Sequence, residues 1–254
     1  MKGIIFITGA TAGFGEAMAR KFASEGYDLI ITGRREERLE QVQKELIEQY
    51  GIKVLPLIFD VRNKEAVNTI IPMIPEAWQN IDVLINNAGL ALDFSTIDEG
   101  NMDDWDTMID TNVKGLLYVS RNVIPWMKAR KKGHIINIGS TAAKHVYQKG
   151  NVYCATKHAV DALSQAMRID LLPYHIKVTA IHPGAAETEF SLVRFKGDAG
   201  KAANVYKGFE PLHAEDVAQV AYFCTTLPPH VCINDLVITP TQQANAYYTY
   251  KETD

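Results

Sequence analysis

Short, nearly unbroken apolar runs recur along the chain and alternate with longer stretches in which apolar residues return every three or four positions. The runs are GIIFIT (3–8), DLIIT (28–32), KVLPLIF (53–59), DVLIN (82–86), GHIINIG (133–139), IKVTAI (176–181) and DLVIT (235–239). Most are almost continuous in Ile, Val and Leu, as strands buried on both faces of a parallel sheet require. The amphipathic stretches, 16–25, 36–50, 63–77, 105–129, 152–172 and 214–226, have the period of helices with one face on a core. This β-α alternation predicts an α/β fold, a doubly wound seven-stranded parallel sheet whose right-handed crossovers put helices on both faces. Residues 1–254 are read as a single domain, without internal repeats or low-complexity linkers. One segment breaks the alternation. Residues 183–212 are long and mixed, with glycines at 184, 197, 200 and 208, and an insertion of this kind in a compact domain is usually functional.

Composition narrows the partners. The chain is 47% hydrophobic with a net charge of −4, which gives no reason to expect a nucleic-acid partner. The basic run at 128–132 ends a helical pattern, where cations suit the helix dipole. Three scattered cysteines, Cys154, Cys224 and Cys232, form no CxxC pair, so no disulfide framework is expected and a cytoplasmic protein is. Cys154 is read as a packing residue. The seven histidines show no metal-ligand spacing, and no metal site is expected. The opening MKGIIFITGA suits a strand better than a signal peptide, and no apolar run is long enough to span a membrane.

Chemistry enters after the first strand. TGATAGFG (8–15) sets glycines at Gly9, Gly13 and Gly15, with Thr11, Ala12 and Phe14 between them, as the chain turns into a helix. Small residues let the backbone approach a pyrophosphate, and a helix N-terminus favours anions. A tight β-α turn without a ligand is the plainer alternative. At the end of the second strand stand Arg34 and Arg35, where an acid would select NAD. Two guanidinium groups suit a 2′-phosphate and predict NADP, unless they merely cap or solvate the next helix. Asp60 and Val61 end the third strand, where an adenine edge can lie. Asn86-Asn87-Ala88-Gly89 ends the fourth, where ligands gather in open α/β sheets, although asparagines there also serve as turn formers.

Ser140 and Thr141 end the fifth strand, and Tyr153 and Lys157 follow four apart at the head of the next helix. Residues so spaced share a helix face. Alone, the pair could be an ordinary surface contact. Beside a nicotinamide, a hydroxyl, a phenol and an ammonium would form a hydride-transfer site. A lysine and the positive oxidised ring would favour the phenolate, and Ser140 would hold the substrate oxygen near Tyr153.

TGATAGFG, NNAG at 86–89, Asn112, Ser140, Tyr153-x-x-x-Lys157, and Pro183-Gly184 with Thr188 resemble, in order and over the whole chain, the short-chain dehydrogenase/reductase family. The resemblance implies a Rossmann-type fold, Tyr153 as acid/base with Lys157 as its partner, and Asn112 anchoring a water in a proton relay. It also implies cofactor contacts from the glycine loop, Asn87, Ala88, Gly89, Tyr153, Lys157, Pro183, Gly184 and Thr188, with Lys157 able to hydrogen-bond the nicotinamide ribose. A homotetramer built partly on the helices at 105–129 and 152–172 is a further implication. The tail at 246–250 would then cover a neighbouring subunit, or else pack on its own.

TGRREERL (32–39), LINNAGLAL (84–92), IINIGSTA (135–142) and TEFSLVRFKGD (188–198) look more narrowly like the NADP-dependent 3-hydroxy acid dehydrogenases, which act on serine, L-allo-threonine or 3-hydroxyisobutyrate. On that resemblance, about 184–212 is a substrate lid. The small-molecule substrate is expected to meet Ser140, Tyr153, His145, Gln148, Arg194 and Lys196. Arg194 is the first choice for a carboxylate because its fork matches one. Both lid cations could instead be solvated or serve the cofactor phosphates. The same chemistry on ketones, diketones or sugars, and a non-catalytic NADP sensor, are the alternatives.

Overall fold

Isoleucine and valine runs become the strands of one sheet. The computed structural model describes residues 2–252. Its strands are β1 (Ile4–Ile7), β2 (Asp28–Gly33), β3 (Val54–Ile58), β4 (Ile81–Asn86), β5 (Gly133–Ile138), β6 (Ile176–Pro183) and β7 (Asp235–Ile238). They pair in the order β3-β2-β1-β4-β5-β6-β7, and every pair is parallel. β1, β2 and β5 are buried throughout, whereas the edge strand β7 alternates exposed and half-buried residues. The continuous apolar runs therefore mark the strands with helices on both faces.

The helices are α1 (Gly13–Ser24), α2 (Glu36–Tyr50), α3 (Lys64–Ile70), α4 (Met102–Ile109), α5 (Leu116–Arg130), α6 (Asn151–Leu171), α7 (Glu189–Arg194), α8 (Ala199–Tyr206) and α9 (Ala214–Thr226). Period-two alternation in the strands divides the core. Ile5 and Ile7 face one side with Met18 and Phe22 of α1, Leu39 of α2 and Val217 of α9. Phe6 and Ile135 face the other with Val67 of α3, Val119 and Val123 of α5 and Val160 of α6. No helix among the described residues is long and apolar enough to cross a membrane. The three cysteines are unpaired, and Cys154 is buried in packing, as expected.

Several boundaries differ from the periodic reading. The helix expected at 63–77 stops at Ile70, and 3-10 turns follow at Ile71–Met73 and Glu76–Trp78. Pro72 and Pro75 lack the N–H that would continue the ladder. The helix expected from residue 16 starts at Gly13, because the glycine turn runs directly into it. The stretch expected as one helix at 105–129 is α4 and α5 joined by a π turn, Asp110–Gly115. The 183–212 segment is a pair of short helices. Thr188 caps α7 by accepting from the Phe190 amide, and Asp198 caps α8 by accepting from the Lys201 amide. After β7 the tail folds over this lid of its own chain. The Glu252 amide donates to the Gly208 carbonyl at 2.8 Å, and Lys251 Nζ donates to the Val205 carbonyl at 3.0 Å.

Candidate active site

All seven strands run the same way, so their carboxyl ends, and the loops that carry the chemistry, gather on one edge. A cleft of about 340 Å³ runs along the ends of β1 to β4. Its floor is the glycine turn. Gly9 and Gly13 take φ of +69° and +53°, the left-handed region that other residues reach at a cost. Ala12 stands at the N-cap of α1 with no side chain able to cap, so the first-turn amides are free for an anion. Thr11, Ala12, Gly13 and Phe14 line the cleft, but Gly15 does not. A Cβ on Gly15 would lie 2.1 Å from the Gly9 carbonyl oxygen. This third glycine lets α1 pack on the end of β1, behind the residues that line the cleft.

Arg34 and Arg35 stand exposed at the lip of the cleft. Arg34 lies 3.6 Å from Asp60, and Arg35 donates to Thr11 Oγ1 at 3.1 Å and to Glu189 at 3.1 Å. Asp60 and Val61 line the wall opposite the glycine turn. Burial opposes ionisation of Asp60, but the hydrogen bonds from Arg62 outweigh it and hold the carboxyl below its ordinary value. Asn87, Ala88 and Gly89 complete the wall. The Asn87 amide donates to the Thr8 and Gly9 carbonyls at 2.9 and 3.1 Å, so this asparagine also holds the glycine turn. Asn86 is buried and bonded to Ser120 and Asn137, a structural role.

At the far end of the cleft, α6 presents Tyr153 and Lys157 one turn apart, both buried. Lys157 Nζ donates to the Ile138 carbonyl at 2.9 Å and lies 5.9 Å from the centre of the Tyr153 ring. Ser140 follows β5 and caps a 3-10 turn through its Oγ, which accepts from the Ala142 amide at 3.1 Å. Asn112 sits in the π turn, a helix irregularity that recurs at functional sites. Its amide clasps the Leu90 backbone, with contacts of 2.9 and 2.8 Å, and reaches Thr156 Oγ1 at 3.0 Å. Both Asn112 and Lys157 converge on Gly89, where a Cβ would lie 3.2 Å from Asn112 Oδ1 and 3.5 Å from Lys157 Nζ.

The protein's own groups, without the oxidised ring on which the expected phenolate also rests, favour the neutral phenol. Burial pushes the Tyr153 phenol well above its ordinary value, and a hydrogen bond with Ser140 only partly offsets this. Burial also lowers the Lys157 ammonium to about 8. Desolvation thus drives both groups toward their neutral forms.

Tyr153 also opens onto a second cavity of about 520 Å³, shared with Ser140. Arg194 of the lid projects into it. Its guanidinium lies 4.8, 5.5 and 5.7 Å from the ring centres of Phe94, Tyr147 and Tyr153, and its Nη2 donates to the Tyr147 hydroxyl at 3.0 Å. Arg194 Nε is buried with no partner. A cation in an aromatic cage with an unanswered donor is ready for an anionic acceptor.

The other expected substrate contacts are not brought here. Lys196 is ion-paired with Asp104 of α4 at 2.7 Å, which latches the lid and takes this cation away from the cavity. His145 and Gln148 are exposed and line neither cavity, and His145 packs edge-on against Tyr247. Their neighbour Tyr147 supplies the wall instead. Nothing in the loop's composition distinguishes the inward residue, so periodicity could not have found it. Gly184 lines the second cavity rather than the cleft, and Pro183 lines neither. Thr188 does border the cleft. Sequence reasoning also missed Phe94, Phe190 and Gln243. The Gln243 carbonyl oxygen accepts from the Ala185 amide at 2.7 Å and ties the tail to the base of the lid. Asp161, His182 and Asp235 bring potential ligand atoms within 4.8 Å of one another from three separate elements, a grouping invisible to residue spacing. The Lys144 ammonium lies against both carboxylates.

Comparison with known proteins agrees with this geometry. The family model for short chain dehydrogenases matches residues 3–197. An NADP-dependent 3-hydroxy acid dehydrogenase of Escherichia coli K12 is 48% identical over 96% of this chain and 97% of its own. The serine 3-dehydrogenase of Agrobacterium fabrum is 41% identical over 99% of this chain and 100% of its own. The closed form of a serine dehydrogenase complexed with NADP+ superposes with a TM-score of 0.92 at 46% identity, covering 98% of this chain and 100% of that one.

Proposed function

The chain belongs to the short-chain dehydrogenase family, and from that premise we propose that it is an NADP-dependent oxidoreductase of small 3-hydroxy acids and their 3-oxo partners. Serine, allo-threonine and 3-hydroxyisobutyrate are representative substrates, and malonic semialdehyde is representative of the reverse reaction. One observation carries the reading. The Tyr153 phenol lies at the junction of a cleft with the groups for a dinucleotide and an aromatic cavity holding a half-buried guanidinium. The names of the relatives in two bacteria support the same substrate class.

The cofactor fits the residues present. The uncapped amides of α1 suit its pyrophosphate, Arg34 and Arg35 its 2′-phosphate, and Asp60 and Val61 its adenine. When bound, NADP supplies the carbon that accepts or gives the hydride. The protein handles the proton and the orientation. Ser140 donates to the substrate oxygen and keeps it near Tyr153. Tyr153 takes or returns the hydroxyl proton. Lys157, kept from full protonation by burial, is coupled to it on the same helix face, and Asn112 holds the backbone beside Lys157. Arg194 binds the carboxylate and sets which end of the substrate meets Tyr153.

Arg194→Ala tests the substrate class. A charge-assisted pair removed from a partly buried site predicts a loss of about 10- to 100-fold in kcat/KM on L-serine or 3-hydroxyisobutyrate. Activity on a neutral secondary alcohol should stay within about twofold. Equal losses on both substrates, or none on the acids, would remove Arg194 from this role and favour the reading as a ketone, diketone or sugar reductase.

We also propose that the enzyme works in the cytoplasm as a homotetramer. Unpaired cysteines suit a reducing compartment. Exposed apolar side chains on and beside the long helices, Ile109 and Leu117 near the π turn and Ile169 and Leu172 at the end of α6, suit subunit packing. Light scattering on the eluting protein should give four times the chain mass of 28.3 kDa, and a monomer mass would refute the assembly.

A further inference from the structure

Beneath Ser140 lies a polar array that touches neither cavity. His182, near the end of β6, is fully buried. Its Nδ1 stands 3.2 Å from the Ser140 carbonyl oxygen and 3.4 Å from the Ser140 amide nitrogen. A Cβ on the preceding Gly139 would lie 2.3 Å from the same Nδ1, so the glycine is there to admit the ring. On its other side, Nε2 faces Asp161 Oδ1 of α6 and Asp235 Oδ1 of β7, each at 3.6 Å. Neither His182 Nε2 nor Asp161 Oδ1 has a hydrogen-bond partner, so the two face each other as charge and dipole only. Lys144, four residues after Ser140, closes the array by bridging the remaining oxygens of both carboxylates at 3.2 and 2.5 Å.

The connectivity gives the array its meaning. Both ends of the turn from Ser140 to Lys144 are tied to the same two carboxylates, one end through the imidazole and the other through the ammonium. Asp161 lies one turn beyond Lys157 and two beyond Tyr153 on α6. The array therefore links the turn carrying Ser140 to the helix carrying Tyr153, through groups that never meet the substrate. Burial and Lys144 favour the neutral ring, against the pull of the two carboxylates. A neutral imidazole has one N–H. With the proton on Nε2, toward the two carboxylates, Nδ1 accepts from the Ser140 amide; with it on Nδ1, the ring donates to the Ser140 carbonyl, and in either tautomer the imidazole holds the Ser140 backbone. We propose that His182 is a positioning residue, whose buried ring, braced by Asp161, Asp235 and Lys144, sets where Ser140 stands relative to Tyr153.

This inference rests on the dehydrogenase reading of the site, and a double-mutant cycle separates the two. Wild type, His182→Leu, Ser140→Ala and the double variant are compared for kcat with NADP and L-serine, and for NADPH affinity by fluorescence titration. His182→Leu should lower kcat about 10- to 100-fold, the range for residues that orient a reacting group. In the Ser140→Ala background the same change should cost less than about twofold, because the group being positioned is already gone. NADPH affinity should stay within about twofold throughout, which a general loss of structure would not allow. The same fold-loss in both backgrounds, or an unchanged kcat in His182→Leu, overturns the inference. Should His182→Leu fail to fold, Asp235→Asn on the exposed edge strand enters the same cycle, with a smaller loss that again depends on Ser140. A folded wild type without turnover on any 3-hydroxy acid refutes the dehydrogenase reading and this inference with it. Additive losses in an active enzyme refute the inference alone.

Discussion

Tyr153→Phe should lower kcat for 3-hydroxy acid oxidation by about 10²- to 10⁴-fold while leaving NADPH affinity unchanged, the range expected when a positioned acid/base is removed. The substitution deletes one oxygen and keeps the ring. The packing of that ring, tilted at 5.7 Å against Phe190 and beside the Arg194 guanidinium, is retained. A loss of rate therefore reports the proton and not the fold. Protein groups alone hold the phenol protonated, because burial outweighs the hydrogen bond from Ser140. Oxidation needs the deprotonated form, so its rate should climb with pH through the neutral range. Reduction consumes the protonated form and should not show that rise. Initial rates in both directions between pH 6 and pH 10 test the pair of statements. Turnover of the phenylalanine variant within tenfold of wild type would reassign the acid/base to another group.

Replacing both Arg34 and Arg35 by alanine should raise KM for NADP by about 100-fold and leave kcat/KM with NAD within a few fold, since each charge-assisted bond to a phosphate is worth roughly 1.5–3 kcal/mol. The two guanidinium groups are more than half exposed, which places the effect at the lower end of that range. Their present partners, Asp60 at 3.6 Å and Glu189 at 3.1 Å, are surface pairs that contribute little and can yield to a phosphate dianion. Arg35 is also held against Thr11 of the glycine turn, so its fork is oriented before the ligand arrives. Kinetics with both nucleotides decide the matter. A parallel loss with NAD would mean that these residues support the glycine turn and do not read the 2′-phosphate.

Taken alone, the sequence determined the layers of this protein and which polar groups stand together at the head of α6. Ile, Val and Leu runs without polar alternation can be satisfied only with both faces covered, which fixes β1, β2 and β5 in the middle of the sheet. Spacing along a helix is a local property, so Tyr153 and Lys157 were bound to share a face wherever α6 came to rest. The glycine turn and the arginines at the end of β2 were legible for the same reason, because each lies within a few residues of a strand end. Even here, local signals failed where a competing rule applied. Pro72 and Pro75 broke a helical period, and Gly15 is needed where α1 packs on the end of β1. What only the tertiary structure decided was which distant side chains meet. Arg194 and Lys196 are two residues apart in one lid, yet one is caged by Phe94, Tyr147 and Tyr153 while the other pairs with Asp104. His145 and Tyr147 lie in one loop, and only Tyr147 turns inward. Lys144, Asp161, His182 and Asp235 come from a turn, a helix and two strands. The reason is physical. Hydrophobic periodicity specifies which face of an element is buried, but not the phase of a loop or the partner across a sheet, and these follow from the packing of the whole chain.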